Sequence, residues 1–247
     1  MKSILRILFY KVCIFFDYFL TDNKARILMY HSFELPNAFF NVSLEDLEWQ
    51  LDYLKKNEYI FLTQSQMVRK IINKESLHKV VVITCDDGHR DYLTTALVEF
   101  EKRDISSTLF WPKRVDSNEI KTSDGVICKL LVEDEIVLLS KNPLVEIGSH
   151  AMTHRELINL SVNELVYELA RTSENSFAYP RGKFSKREID FVRKAGYSSA
   201  VTTINGFVDQ QSDLFSLPRI SIDSKTDKLA FKAKLSTFFG MYAKVRR

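Results

Sequence analysis

The sequence predicts an α/β fold built around a parallel barrel. Short apolar, β-branched runs alternate along the chain with helical stretches of about ten residues, the pattern of β-α units on a parallel sheet. About seven such units favour a closed barrel over an open sheet. The length of 247 residues suits one such barrel. No internal repeat and no linker rich in proline, glycine or serine interrupts it. The expected organisation is a body over 26–223, preceded by an amphipathic segment over 1–25 and followed by a basic amphipathic helix over 224–247.

Residues 27–30 (ILMY) are a short apolar run and hence a strand. Ser43, ahead of Leu44-Glu45-Asp46, is the N-cap of a helix. Residues 60–62 predict a weak strand and 64–73 a helix. Residues 80–84 (VVVIT) are β-branched throughout, which fits a strand buried on both faces. A helix over 91–103, a strand over 107–111, a helix over 132–140 and a strand over 144–148 continue the alternation. Ser161-Val162-Asn163-Glu164 is a capping box opening a helix to residue 171, and 177–179 is a strand. Ser185-Lys186-Arg187-Glu188 is a second box, whose helix Gly196 stops. Strands over 199–203 and 217–222 close the series.

Composition narrows the class. Hydrophobic residues at 45% and charged residues at 27% are ordinary for a folded protein and exclude bulk disorder. Three scattered cysteines, Cys13, Cys85 and Cys128, form no disulfide framework and no C-x-x-C metal knuckle, which suits a reducing compartment. The net charge of +3 is unevenly placed. Residues 1–26 hold five basic and two acidic side chains, and residues 225–247 hold seven and one, so the stretch between them is net −6. An acidic body is a poor platform for nucleic acid, and no nucleic-acid partner is expected.

Both ends are basic and apolar. The stretch 3–20 (SILRILFYKVCIFFDYFL) is interrupted by Arg6, Lys11 and Asp17, whereas a spanning helix wants about 20 apolar residues with few charges. At helical spacing Lys2, Arg6, Tyr10 and Asp17 fall on one narrow polar stripe, with Lys11 outside it. A cleaved signal peptide needs a small-residue site after its apolar run, and Thr21-Asp22-Asn23-Lys24 supplies none. Three readings stand: a helix lying on a membrane surface, a helix packed on the body or on another chain, and an uncleaved span. At the other end Phe231, Leu235, Phe238, Phe239 and Tyr242 recur at helical spacing among Lys228, Lys232, Lys234, Lys244, Arg246 and Arg247. Basic residues beside an anionic leaflet each add roughly 1 kcal/mol. The alternative is an ordinary last helix with a solvated basic face.

In an α/β barrel the chemistry sits at the carboxyl ends of the strands. Asp86-Asp87-Gly88 follows the VVVIT strand directly. Neighbouring carboxylates repel unless a cation or a proton relieves them; a metal relieves one and leaves the other free as a base. The plainer reading is a turn that starts the next helix. His150-Ala151-Met152-Thr153-His154 follows the strand over 144–148, and H-x-x-x-H spacing brings two imidazoles to one side of a tight loop. Together the two motifs point to a three-ligand Asp/His/His site with an open water position. His31 ends the first strand at the same rim, which suits a general acid. His78 and His89 read as surface or supporting residues, and Cys85 as packing.

These residues resemble the polysaccharide deacetylases, the NodB-homology domain of carbohydrate esterase family 4. Thr84-Cys85-Asp86-Asp87-Gly88 is similar to the family's T-F-D-D-G motif and His150–His154 to its H-[ST]-x-x-H. Phe177-Ala178-Tyr179-Pro180-Arg181-Gly182 is similar to its F-A-Y-P-Y-G, and Leu217-Pro218-Arg219-Ile220 resembles a later segment. Leu28-Met29-Tyr30-His31-Ser32, with Asn41-Val42-Ser43 and Asp52-Tyr53-Leu54, resembles the start of the branch that acts on poly-N-acetylglucosamine. The resemblance implies a distorted (β/α) barrel of about seven strands. It implies a divalent metal, usually zinc with cobalt, nickel or manganese as alternatives, held by Asp87, His150 and His154, with Asp86 as general base. It puts the acid on His31, since no histidine follows His154. It gives the substrate and oxyanion contacts to Tyr179, Pro180, Arg181 and Gly182, with the Arg181 backbone N–H as oxyanion donor.

Three departures stand out. Cys85 replaces phenylalanine, Arg181 replaces tyrosine, and Ala178 stands where many members place the arginine that orients the base, a role open to Arg219. The implied activity is de-N-acetylation of a polysaccharide or lipid-linked amino sugar at the cytoplasmic face of a bacterial inner membrane or in the soluble cytoplasm. The rival readings are a glycan-binding or membrane scaffold without activity, and a hydrolase of another acyl amide or an O-acetyl ester.

Overall fold

The computed structural model describes residues 2–35, 38–113, 119–121, 127–170 and 173–245. Along the chain run α1 (Lys2–Asp17), β1 (Arg26–Tyr30), α2 (Leu44–Lys56), β2 (Ile60–Phe61), α3 (Gln64–Ile72) and β3 (Val80–Cys85). A π-helical turn, Tyr92–Ala96, leads into α4 (Leu97–Lys102), followed by β4 (Ser107–Trp111) and a small antiparallel hairpin of β5 (Glu119–Lys121) and β6 (Ile127–Lys129). Then come α5 (Glu133–Leu139), β7 (Val145–Ser149), α6 (Val162–Glu168) and β8 (Ser176–Ala178). A single tight turn at Pro180–Gly182 precedes α7 (Lys186–Lys194), β9 (Ser199–Asn205), β10 (Leu217–Ser221), α8 (Lys228–Leu235) and α9 (Thr237–Val245).

Seven parallel strands close into a barrel in the order β1-β10-β9-β8-β7-β4-β3, and β3 pairs back to β1 over Arg26↔Val81 to Tyr30↔Cys85. The two-residue β2 occupies the part of the β3 edge that β4 leaves free, pairing with Val80 and Val81 below the β4 register at Ile83 to Cys85. Strand alternation sorts the side chains to the two sides of the barrel wall, where three buried clusters form. Ile27, Val80, Val82, Phe110, Ala178, Val201 and Leu217 form one buried set, with Met67, Val68 and Ile71 of α3 against them. Leu28, Tyr30, Val81, Ile83, Cys85, Leu109 and Ile220 form another, packed against α2, α4, α5 and α8. Both faces of β3 are therefore apolar over Val80–Ile83, as the unbroken VVVI run requires. Each fully buried aliphatic side chain contributes about 1.5–3 kcal/mol.

The helix starts follow their caps. Ser43, Thr63, Ser161 and Ser185 each accept a backbone N–H of the first turn, and Thr63, Ser161 and Ser185 complete capping boxes with Gln66, Glu164 and Glu188. The helix expected to reach residue 171 ends at Glu168; Arg171 lies outside the described residues, as do Arg246 and Arg247. The apolar positions over 224–247 are carried by two helices, because Ser236 takes an extended conformation (φ −68°, ψ 145°) between α8 and α9. The hairpin was not foreseen, since strands of three residues leave almost no alternation to read.

Phe110 fills the barrel interior and has no exposed surface. Phe110→Ala should cost about 3–5 kcal/mol, read as a lower urea midpoint at unchanged slope.

Candidate metal centre

His31, the Asp86-Asp87 pair and His150 directly follow the carboxyl ends of β1, β3 and β7. The Asp86 N–H donates to the Tyr30 carbonyl at 3.0 Å, carrying the β3–β1 ladder one step past β3, and the His150 N–H donates to the Trp111 carbonyl at 3.0 Å, doing the same for β7 and β4. By strand parity Asp86 continues the row of Val80, Val82 and Thr84 into the barrel. It is 3% exposed and meets Arg219, which is 1% exposed. The guanidinium grips the carboxylate in bidentate fashion, Nη1 to Oδ1 at 2.7 Å and Nη2 to Oδ2 at 2.6 Å. Its Nε donates to the Thr202 carbonyl at 2.8 Å and Nη1 also to Thr84 Oγ1 at 3.1 Å. Burial pushes the Asp86 carboxyl up, but the Arg219 guanidinium outweighs it and holds the group below the ordinary carboxylate value.

Asp87 turns the other way. Asp87 and Gly88 both take left-handed conformations, φ 69° and 68°, which swing the Asp87 side chain out to the rim. A Cβ on Gly88 would come within 2.6 Å of the Trp111 ring, so this turn needs glycine for space as well as for φ. Asp87 Oδ1 lies 3.2 Å from His150 Nε2 and 3.0 Å from His154 Nε2. One ligand atom from each of the three residues falls within 4.8 Å of the others, a grouping that could hold a metal ion.

The donor set fits a cation. His150 Nδ1 lies 2.8 Å from the Ala178 carbonyl, which can only accept, so Nδ1 carries a proton and neutral His150 directs the Nε2 lone pair at Asp87. Bare acceptors that close repel unless positive charge stands between them. The field calls for that charge: burial opposes a proton on His150, yet Asp87 and Asp86 raise its pKa above the ordinary value. His89 shows the same pull. It is buried with Nε2 3.7 Å from Asp87 Oδ2, and although burial opposes protonation the Asp87 contact pushes it up to about 10.

The loop carrying the histidines is tied from below. Ala151 and His154 are left-handed, φ 65° and 61°. Glu168, buried at the end of α6, accepts the Met152 N–H at 3.1 Å and the Thr153 N–H at 2.9 Å, and also takes the Thr153 hydroxyl. Sequence reading missed Glu168; the only signal was its place at the end of a capped helix.

The other expected residues divide. His31 follows β1, lies tilted against the Phe40 ring at 4.5 Å between centroids, and has no hydrogen-bond partner for Nδ1 among the described residues. Burial lowers its pKa, against the pull of Asp87 and Asp86. A cleft of about 580 Å³ opens over the centre, lined by Asp87, His154, Arg155, Glu156 and Arg181. Arg181, at φ 54°, sends an exposed side chain toward Glu156 at 3.7 Å. Tyr179 and Pro180, expected at the substrate, are buried instead. The Tyr179 ring stacks on Phe184 at 4.8 Å and its hydroxyl donates to the Phe215 carbonyl at 3.0 Å, because alternation after the interior Ala178 turns it, like Phe177, out of the barrel into the core shared with α6 and α7. Gly182, at φ 66°, packs so tightly on Thr203 that a Cβ would not fit. Cys85 is buried and burial pushes its thiol up, which suits packing. His78 is exposed, its Nδ1 2.8 Å from the Asp22 carbonyl.

Comparison with known proteins agrees with this geometry. A sequence model described as polysaccharide deacetylase matches residues 73–200. YxkH of Bacillus subtilis (strain 168), which carries the polysaccharide deacetylase name, is 25% identical over 225 residues, covering 87% of this chain and 77% of its own. The deacetylase PplD of Streptococcus pyogenes is similar in fold, with TM-score 0.73, 22% identity, and 88% of this chain and 100% of its own covered. IcaB of Ammonifex degensii is similar at TM-score 0.72 and 20% identity, covering 87% and 98%.

Glu168→Gln removes one acceptor from the knot beneath the histidine loop. The expected outcome is about tenfold weaker metal binding in a chelator competition, with an unchanged circular dichroism spectrum.

Proposed function

The chain belongs to the polysaccharide deacetylase family, whose members are hydrolases that release acetate from N-acetylated sugars, and from that premise we propose that it de-N-acetylates a polysaccharide or lipid-linked amino sugar with Asp86 as base and His31 as acid. The observation that carries this reading is the opposite fate of two adjacent carboxylates: Asp86 is locked to Arg219, while Asp87 is left to His150 and His154.

A divalent cation held by Asp87, His150 and His154, zinc by family custom, would polarise the acetyl carbonyl and acidify a water. Arg219 keeps Asp86 ionised and fixes its plane, so Asp86 receives the water's proton through the lone pairs Arg219 leaves free. The turn at Pro180–Gly182 presents the Arg181 backbone N–H to the developing oxyanion, with Tyr179 anchoring that turn from the core. His31 gives its proton to the leaving nitrogen. One water is consumed, the C–N bond breaks, and acetate and a free amine result. The PplD structure was determined in complex with acetate, the product this reaction would release.

The same reading sets the protein at the cytoplasmic face of a bacterial inner membrane. Cys13, Cys85 and Cys128 are buried and joined by no disulfide among the described residues, which supports a reducing compartment. Among the described residues no helix is long and apolar enough to cross a membrane.

Acetate release from N-acetylglucosamine oligomers should stop on chelation and return with zinc. Asp86→Asn should lower kcat by about 10²–10⁴ with metal content unchanged, and His154→Ala should lose metal in elemental analysis. A fully active Asp86→Asn would remove the base assignment. Bound glycan without acetate release from wild type would favour the scaffold reading.

A further inference from the structure

The first and last helices lie side by side. Phe9 meets Tyr242 at 4.7 Å between ring centroids, Phe16 stacks on Phe238 at 5.3 Å, and Asp17 Oδ1 accepts the Thr237 N–H at 2.6 Å. Gly240 closes α9 onto Phe207, where any Cβ would clash. The fold thus joins two basic segments more than 200 residues apart into one corner of the molecule.

α1 is mounted inside out. A surface helix ordinarily turns its polar stripe to water and its apolar stripe to the protein. Here Cys13 is fully buried, Asp17 caps α9, and Arg6 lines a surface hollow with Asp46, Thr226 and Asp227. The side of α1 that carries Tyr10, Cys13 and Asp17 therefore faces the body, with Arg6 exposed at its edge. Ile4, Leu5, Leu8 and Phe15 are 71, 69, 59 and 62% exposed, and Tyr18 and Phe19 extend the patch beyond the helix end. Met241, Tyr242 and Val245 of α9 continue it. A contiguous apolar patch on a folded protein marks a contact surface.

We propose that α1 and α9 together form a docking surface for an anionic lipid bilayer. Charge selects this occupant. Lys11 is exposed at helical spacing from Leu8 and Phe15, and Lys244 is exposed beside Met241 and Val245. Apolar and aromatic side chains set among lysines match the boundary of acyl chains and anionic headgroups. The rest of the chain, 27–224, is net −6, so an anionic surface repels the body and attracts this corner, which also fixes orientation. A two-fold contact with a second copy would instead set the same basic ends against each other. This surface stands apart from the catalytic centre, and its test needs no turnover.

The full-length chain is sedimented with vesicles of phosphatidylcholine alone and of phosphatidylcholine mixed equally with phosphatidylglycerol. Wild type should pellet with the mixed vesicles, less with the neutral ones, and less as salt is raised. Leu8→Glu/Phe15→Glu, at exposed sites, should weaken binding about tenfold or more at unchanged Tm, and so should Lys11→Glu/Lys244→Glu. Hydrogen exchange on wild type gives a check that needs no variant: mixed vesicles should protect residues 2–17 and 237–245. Equal binding by the Leu8→Glu/Phe15→Glu variant, absence of pelleting and protection, or a wild-type dimer that this variant dissolves without any vesicle binding would each overturn the proposal.

Discussion

The bidentate pair of Asp86 and Arg219 inside the barrel is the interaction on which the centre depends. Burying either charge alone costs several kcal/mol, so each is tolerated only because the other is there and because Thr84 and Thr202 take the remaining guanidinium donors. Breaking such a pair typically costs about 3–5 kcal/mol. The consequence is a division of labour between neighbours. Parity sends Asp86 inward to Arg219, and two successive left-handed residues send Asp87 outward to the histidines. In the proposed reaction this difference in placement is what would separate a ligand from a base.

The centre is held by features remote from it in sequence. Glu168 comes from α6, the Ala178 carbonyl from β8 and Arg219 from β10, while the residues they position follow β3 and β7. Left-handed φ at Asp87, Ala151, His154 and Arg181 clusters at this rim. Non-glycine residues adopt that conformation at a cost, and the buried hydrogen bonds beneath the loops are what hold them there. Those hydrogen bonds thus support the rim around the three side chains that could grip a cation, beneath the open cleft.

The first and last helices obey a different constraint. They leave large apolar side chains in solvent while α1 turns Cys13 and Asp17 to the body, an arrangement folding alone does not favour. The proposed bilayer contact would account for that exposed face. The acidic body and basic corner give the molecule a charge asymmetry along one direction, which a centre-bearing barrel does not need for its own stability.

The fold class and most of the centre were legible in the amino-acid order because they rest on local signals. Alternating strand and helix patterns, β-branched runs and capping boxes each act within a few residues, and Asp86-Asp87-Gly88 and His150–His154 are continuous motifs. What stayed hidden was long-range. That Arg219 reaches Asp86, that Glu168 supports the histidine loop, that His89 is buried beside Asp87, that Tyr179 packs into the layer outside the barrel and that Asp17 of α1 meets α9 each depend on strands and helices closing together over many residues. Local propensity carries no term for such contacts; barrel closure and strand parity decide them, and these exist only once the chain has folded.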